Sequence, residues 1–423
     1  MVITLTTSSV MKKDFFWYIY CGCMILYIYA RANILWLERL PLSAICLLTI
    51  IVSSIKIFQL KDSIKQQQFL LCSCFFLYFV LSFFFWDWGG NFFFLTVPAL
   101  FLFAVSVVLL PVNEKKLLLS AISKCMVFII IISVPAWLLF LAGVDFPHSD
   151  VIFHPNGFHE YYDYRFFRLS AKGNVFDLIL PRFSSVFLEP GQFATPCVFL
   201  FFLNGAKFNR KNIPFIVAII LSFSLVGLAL FLGGIMARKI IVKEKHLLIQ
   251  FFLIAAVLGG VGYYYTEYVE QDDPVNMYVF SRLQYDEDKG LSGNNRTSSY
   301  FDKKYQIFLQ SSDRYLGMGQ QLKEGYDWTY NCSGYKKFIV RHGLIGFGVF
   351  MSFIFLLFFF NRSKPNLFFL VIVVTAFFVR DLLQAPLWLS ITIIGFKILS
   401  RKSRDSVFIR NSYNLERRNN CSS

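Results

Sequence analysis

The chain has 423 residues, of which 56% are hydrophobic, 19% aromatic and only 16% charged, with a formal net charge of +15. Average globular chains are about 45–50% apolar and about 25% charged, so a water-soluble fold is excluded. A bilayer can hide the 52 Phe residues in apolar spans of about 20 residues each. The nine cysteines supply no disulfide framework, because Cys332 is the one that falls in a long polar loop.

In chain order, apolar spans are expected at about 14–30, 40–58, 68–86, 91–111, 120–143, 192–205, 213–237, 247–265, 340–360, 366–379 and 383–399. Lys12 and Lys13 precede the first span, which reads as an uncleaved anchor because Ala30-Arg31-Ala32 follows a bulky aromatic stretch. The expected fold is therefore an all-α polytopic membrane protein with 11–12 transmembrane helices and two long periplasmic loops. Its parts are N-terminal helices (1–143), a first loop (144–191), central helices (192–265), a second loop (266–338), C-terminal helices (339–399) and a basic tail (400–423).

Positive charge sets the expected orientation. Lys61/Lys65, Lys115/Lys116, Lys207/Arg210/Lys211, the Arg238–Lys245 group, Arg362/Lys364 and the tail are read as cytoplasmic. The two long loops hold 13 of the 41 Lys+Arg but 17 of the 26 Asp+Glu, so they are read as external. The basic excess is then a surface held against anionic lipid, not a nucleic-acid footprint. Both termini are expected in the cytoplasm and the chain in a bacterial inner membrane. Counting crossings places Arg238–Lys245 on the wrong side unless 213–237 is two half-spans broken near Ser222–Gly227. Broken backbone at membrane depth survives only where protein or a wet cavity surrounds it. One unbroken helix is the alternative.

Candidate chemistry gathers in the loops. His159–Arg168 mixes aromatic rings with both charges, suiting sugars and phosphates as well as an interfacial belt. Arg182-Phe183-Ser184-Ser185 leads to Glu189-Pro190-Gly191 at the mouth of a span, where ionisable groups are costly unless paired or functional. An Arg182–Glu189 pair tying loop to helix is one reading. His148, His154 and His159 form no recognised zinc pattern, and neither metal nor cofactor is expected. Arg380-Asp381, between the last two spans, reads as a paired structural turn, with substrate positioning as the lesser reading.

An arginine leading into a Glu-Pro-Gly turn and a new helix resembles the Wzy-type O-antigen and polysaccharide repeat-unit polymerases. In the second loop, Asn295-Arg296, Tyr305–Leu309 and Tyr315-Leu316-Gly317-Met318-Gly319 are similar to that family's arginine, helix and Gly-x-Gly turn. Asn331-Cys332-Ser333 followed by Arg341-His342-Gly343-Leu344-Ile345-Gly346 resembles its re-entry into the membrane, and the Ser222–Gly227 break also fits.

The resemblance implies glycosyl transfer on the periplasmic face. The growing glycan would pass from undecaprenyl pyrophosphate to the non-reducing end of a new lipid-linked repeat unit, with no nucleotide-sugar donor. A separate chain-length regulator is the implied partner. Holding a pyrophosphate leaving group suits bidentate arginines; Arg182 and Arg296 are first choices, with Arg165, Arg168 and Arg314 as helpers and Asn331 as a further binding residue. Glu189, then His342, would be the general base. Solvated ion pairing for Arg296 and Arg314, and helix capping for His342, are the alternatives. The related ligases place a histidine about eleven residues before the Gly-x-x-Gly pair, where this chain has Cys332, which favours polymerase. A repeat-unit flippase is the rival of another class, but no internal repeat is seen and the polar mass is external.

Overall fold

The computed structural model describes residues 15–32, 34–38, 40–85, 93–149, 152–153, 160–170, 181–242, 285–286, 290–291, 299–319 and 334–400, with isolated positions in 256–268 and 322–332. Apolar runs with few charges become helices where they were expected. These are α1 (Phe15–Ala30), α2 (Leu42–Leu60), α3 (Gln66–Phe85), α4 (Phe93–Leu109), α5 (Val112–Leu141) and α6 (Pro190–Leu203). They continue as α7 (Ile213–Leu221), α8 (Leu225–Val242), α9 (Ser299–Gln310), α10 (Tyr335–Phe359), α11 (Lys364–Val379) and α12 (Pro386–Ser400). Among the described residues, five helical stretches, those beginning at Leu42, Gln66, Val112, Leu225 and Tyr335, are long and apolar enough to cross a membrane. The expected span at 247–265 lies largely outside the described residues; its described positions are helical.

Three details depart from the expected layout. Helix α5 begins at Val112, eight residues early, because Pro111 sets the extended entry and Glu114 occupies the first turn, where the helix dipole favours a carboxylate. The loops are not purely irregular either. The first carries a three-stranded antiparallel meander, β1 (Ile152–Phe153), β2 (Glu160–Asp163) and β3 (Arg168–Ser170), with Asp163 opposite Arg168. The second carries a short pair, β4 (Tyr285–Asp286) with β5 (Gly290–Leu291), and the amphipathic α9. Phe301, Tyr305 and Phe308 of α9 build a small separate core with Cys332, Ile339 and Val340.

The burial pattern is that of a helical membrane protein. Large apolar side chains such as Phe58, Phe69, Phe94, Phe128 and Ile131 stand outward on α2–α5, an exposure that lipid would cover. Inside, α6 is surrounded: its residues from Phe193 to Leu203 are all buried, and it packs on α7, α8 and α11. Phe199 meets Phe369 with ring centroids 5.8 Å apart, and Phe202 meets Phe368 at 5.0 Å, both edge-on. Hydroxyls in this core bond backbone carbonyls of their own helix, as Thr49 does to Ile45 O (2.8 Å) and Thr195 to Gly191 O (2.8 Å). The fold is thus an α-helical membrane protein.

Candidate functional site

The segment leading into α6 is irregular, with a turn closed by Phe187 N donating to Ser184 O (3.1 Å). Phe183, Ser185, Val186 and Phe187 have no exposed surface. A segment of this kind satisfies few of its own N–H and C=O groups, so the others must find partners in their surroundings. Arg168 N donates to Ser185 O (2.8 Å), Leu35 N to Val186 O (2.9 Å), and Phe183 N to Leu221 O (3.2 Å). Ser185, at φ 55°, pairs its hydroxyl with that of Ser133 on α5 at 2.6 Å. The segment therefore takes its position from α5, β3 and the end of α7.

Leu221 O is available because the chain breaks there. Helix α7 stops at Leu221, Phe223 takes φ 44°, and α8 starts at Leu225. Ser224 supplies the local reason: its Oγ accepts from Gly227 N (3.3 Å), an N-cap bond. Ser222 Oγ donates back to Ile219 O (2.7 Å). A Cβ on Gly227 would stand 2.6 Å from the Ala194 methyl, so the absence of a side chain lets the broken region lie against α6.

Glu189 is the N-cap position of α6 but makes no side-chain cap. Its carboxylate instead pairs with the Arg380 guanidinium from the end of α11. That guanidinium lies over Gly191, where an added Cβ would be 2.6 Å from Nη2. The glycine of Glu-Pro-Gly is thus the floor on which the arginine rests. The expected Arg182–Glu189 tie does not form, nor does Arg380 serve a local turn with Asp381, because the two ends of α6 and α11 come together instead. Arg182 is half-buried and has no ion-pair partner among the described residues. Arg380 Nε is buried without a hydrogen-bond partner.

A second break adjoins the first region. Helix α10 is kinked at Gly343 (φ 67°, ψ 175°), and the turn at Tyr315–Gly317 seats in that kink. Met318 N donates to Val340 O (2.7 Å) and Ile345 N to Tyr315 O (3.1 Å). A Cβ on Gly317 would lie 2.5 Å from Arg341 O, and one on Gly343 would collide with Tyr315 O. The two glycine motifs noted in the sequence are therefore the two halves of one joint. His342, one residue before the kink, is buried, with its ring centroid 4.3 Å from that of Phe338 and 6.2 Å from that of Tyr78. Tyr78 on α3 donates to Gln384 Oε1 (2.9 Å), four residues beyond Arg380. The N-terminus of α10 also abuts the end of α11, since a Cβ on Gly334 would meet Phe378 O at 2.6 Å.

The remaining candidates separate. Arg168 is buried and held by two carboxylates: Nε bonds Asp163 Oδ1 at 2.7 Å and Nη1 bonds Glu38 Oε1 at 2.8 Å. Its guanidinium is thus engaged by protein carboxylates. Arg165 has an exposed side chain, and its carbonyl accepts from Trp36 Nε1 (2.8 Å). Arg314 closes the end of α9, donating to Leu309 O (3.0 Å) and to the Tyr315 hydroxyl (2.7 Å). Arg296, Asn331, His154 and His159 lie outside the described residues. His148 is bonded to Ser149 O (2.8 Å), and no group of three potential metal ligands occurs among the described residues. Tyr78 and Gln384 were missed from the sequence, since a tyrosine in an apolar span carries no signal of its partner.

Among the described residues, one end of the helix bundle thus collects an ion pair, an arginine with no ion-pair partner, a buried histidine and two backbone breaks. No family model, curated protein or solved structure matches the chain.

Proposed function

We propose that the chain is a membrane glycosyltransferase that polymerises oligosaccharide repeat units carried on undecaprenyl pyrophosphate, at the outer face of a bacterial inner membrane and with both termini in the cytoplasm. The observation that carries this reading is Arg182, which has no ion-pair partner among the described residues, on the buried segment that ends at the Glu189–Arg380 pair. In the reaction, the acceptor hydroxyl attacks the anomeric carbon of the donor glycan and the bond from that carbon to the pyrophosphate oxygen breaks. The electron pair leaves with the pyrophosphate. Arg182 and the unbonded Nε of Arg380 are the donors suited to that developing charge. Glu189 or His342 accepts the hydroxyl proton. Arg296 and Asn331 belong to the same reading.

The test separates chemistry from folding. Arg182→Ala is expected to remove polymer, with a rate loss of about 100-fold or more, the scale of one transition-state donor. Its thermal midpoint in detergent should match the parent, because no ion-pair partner among the described residues is orphaned. Glu189→Ala should lose both activity and stability, since it leaves Arg380 uncompensated. A normal polymer ladder from Arg182→Ala at equal protein level would remove that residue from the site. In a strain lacking the gene, core bearing a single repeat unit supports a polymerase. Bare core with polymer still on the lipid carrier would point to a ligase, and units trapped on the cytoplasmic leaflet to a flippase.

A further inference from the structure

The turn that follows Arg380 carries two polar side chains that the pyrophosphate chemistry leaves unused. Arg380 is extended (φ −143°, ψ 131°), and Asp381–Gln384 then wind as one short 3-10 turn before α12. Arg380 reaches back to Glu189 at the start of α6. Gln384 reaches α3 instead, where its Oε1 accepts from the Tyr78 hydroxyl (2.9 Å). The turn therefore links α6 to α3 at the end of the bundle that holds the candidate site.

Tyr78 is 1% exposed, and its buried hydroxyl fixes the amide. A phenol donates to an amide oxygen, while the amide nitrogen carries two N–H donors of its own. With Oε1 held by Tyr78, Nε2 of the half-buried Gln384 has no hydrogen-bond partner among the described residues. Residues three apart in such a turn eclipse, so Asp381 leaves it on the same side as Gln384. The Asp381 carboxylate is also half-buried and has no hydrogen-bond or ion-pair partner among the described residues, since Arg380 is taken by Glu189. An acceptor and two donors thus stand side by side on a turn anchored at both ends.

That combination selects its ligand by chemistry. A phosphate would face the Asp381 carboxylate, and a cation would face the amide N–H groups. A neutral ligand with adjacent hydroxyls satisfies both, one O–H donating to the carboxylate and the next oxygen accepting from Nε2. We propose that Asp381 and Gln384 form a sugar-hydroxyl subsite beside the arginines, with Tyr78 as the positioning residue that orients the Gln384 amide. That the sugar belongs to a lipid-linked repeat unit rests on the polymerase reading; the binding of a neutral glycan does not.

The test measures binding to the full chain in nanodiscs, so that transfer is not required. The probe is the phosphate-free oligosaccharide released by mild acid from the surface polysaccharide of the native strain, titrated by calorimetry. Asp381→Asn keeps the shape and removes the charge. Gln384→Glu keeps the oxygen that Tyr78 bonds and removes both N–H donors. Each should weaken the oligosaccharide about tenfold, the scale of one hydrogen bond. Tyr78→Phe should weaken it in the parent but not in the Gln384→Glu background, a coupling that a purely structural tyrosine would not show. Asp62→Asn, at an exposed carboxylate just before α3, should bind as the parent does. Weakened binding in both subsite variants, beside a normal polymer ladder from Arg182→Ala, would keep the glycan subsite and remove Arg182 from the chemistry. Undiminished binding by either subsite variant, or no binding by the parent, overturns the subsite and leaves the outcome at Arg182 untouched.

Discussion

Alanine at Gly343 is expected to destabilise the protein by about 3–5 kcal/mol, combining left-handed backbone strain with a steric clash. At φ 67° an L side chain is strained, and the new Cβ would collide with the Tyr315 carbonyl. Neither partner yields cheaply, because the obstructing atom is backbone and Tyr315 O already accepts from Ile345 N. Gly317→Ala should act through the same joint, from φ +84° and a contact of 2.5 Å to Arg341 O. The double variant should therefore cost less than the sum of the two. Gly348→Ala is the control: nothing lies within 4 Å of its added Cβ, so helix propensity should leave it level or about 0.5–1 kcal/mol more stable. Denaturant or thermal midpoints of the four proteins decide the matter, and equal stability of Gly343→Ala and Gly348→Ala would refute the interlocked joint.

Arg168→Met should cost about 3 kcal/mol, the low end for breaking a buried ion pair. The arginine side chain is 2% exposed and Asp163 9%, while Glu38, at 35%, keeps some solvent screening. The loss comes from two carboxylates left facing each other where the guanidinium stood. Neutralising them should then restore stability: Glu38→Gln with Asp163→Asn in the Arg168→Met background is expected to recover at least half. A triple variant no more stable than Arg168→Met would mean that packing of the arginine stem, not its charge, holds this site.

What could be read in advance depended on the range of the interaction. Ser222–Gly227 announces its break locally, because Ser224 caps the following helix three residues on. Glu-Pro-Gly likewise announces the start of α6. The partner of Glu189 could not be read, because Arg380 is 191 residues away and several arginines were equally eligible. The same holds for Arg168, whose aromatic and charged neighbours suggested a ligand while Glu38, 130 residues earlier, claims it. Strands β1–β3 were invisible for another reason: segments of two to four residues are too short to show a period.

By itself the sequence determined the class of this protein and the places of its helices. The hydrophobic effect and bilayer thickness act on each span separately, so composition over about 20 residues suffices. It also determined the helix break, which a serine cap and a glycine produce within six residues. Only the tertiary structure decided which charges meet, that two distant glycine turns form one joint, and that Arg182 has no ion-pair partner among the described residues. Those outcomes depend on packing between helix ends far apart in the chain, and such contacts leave no mark on local composition or periodicity.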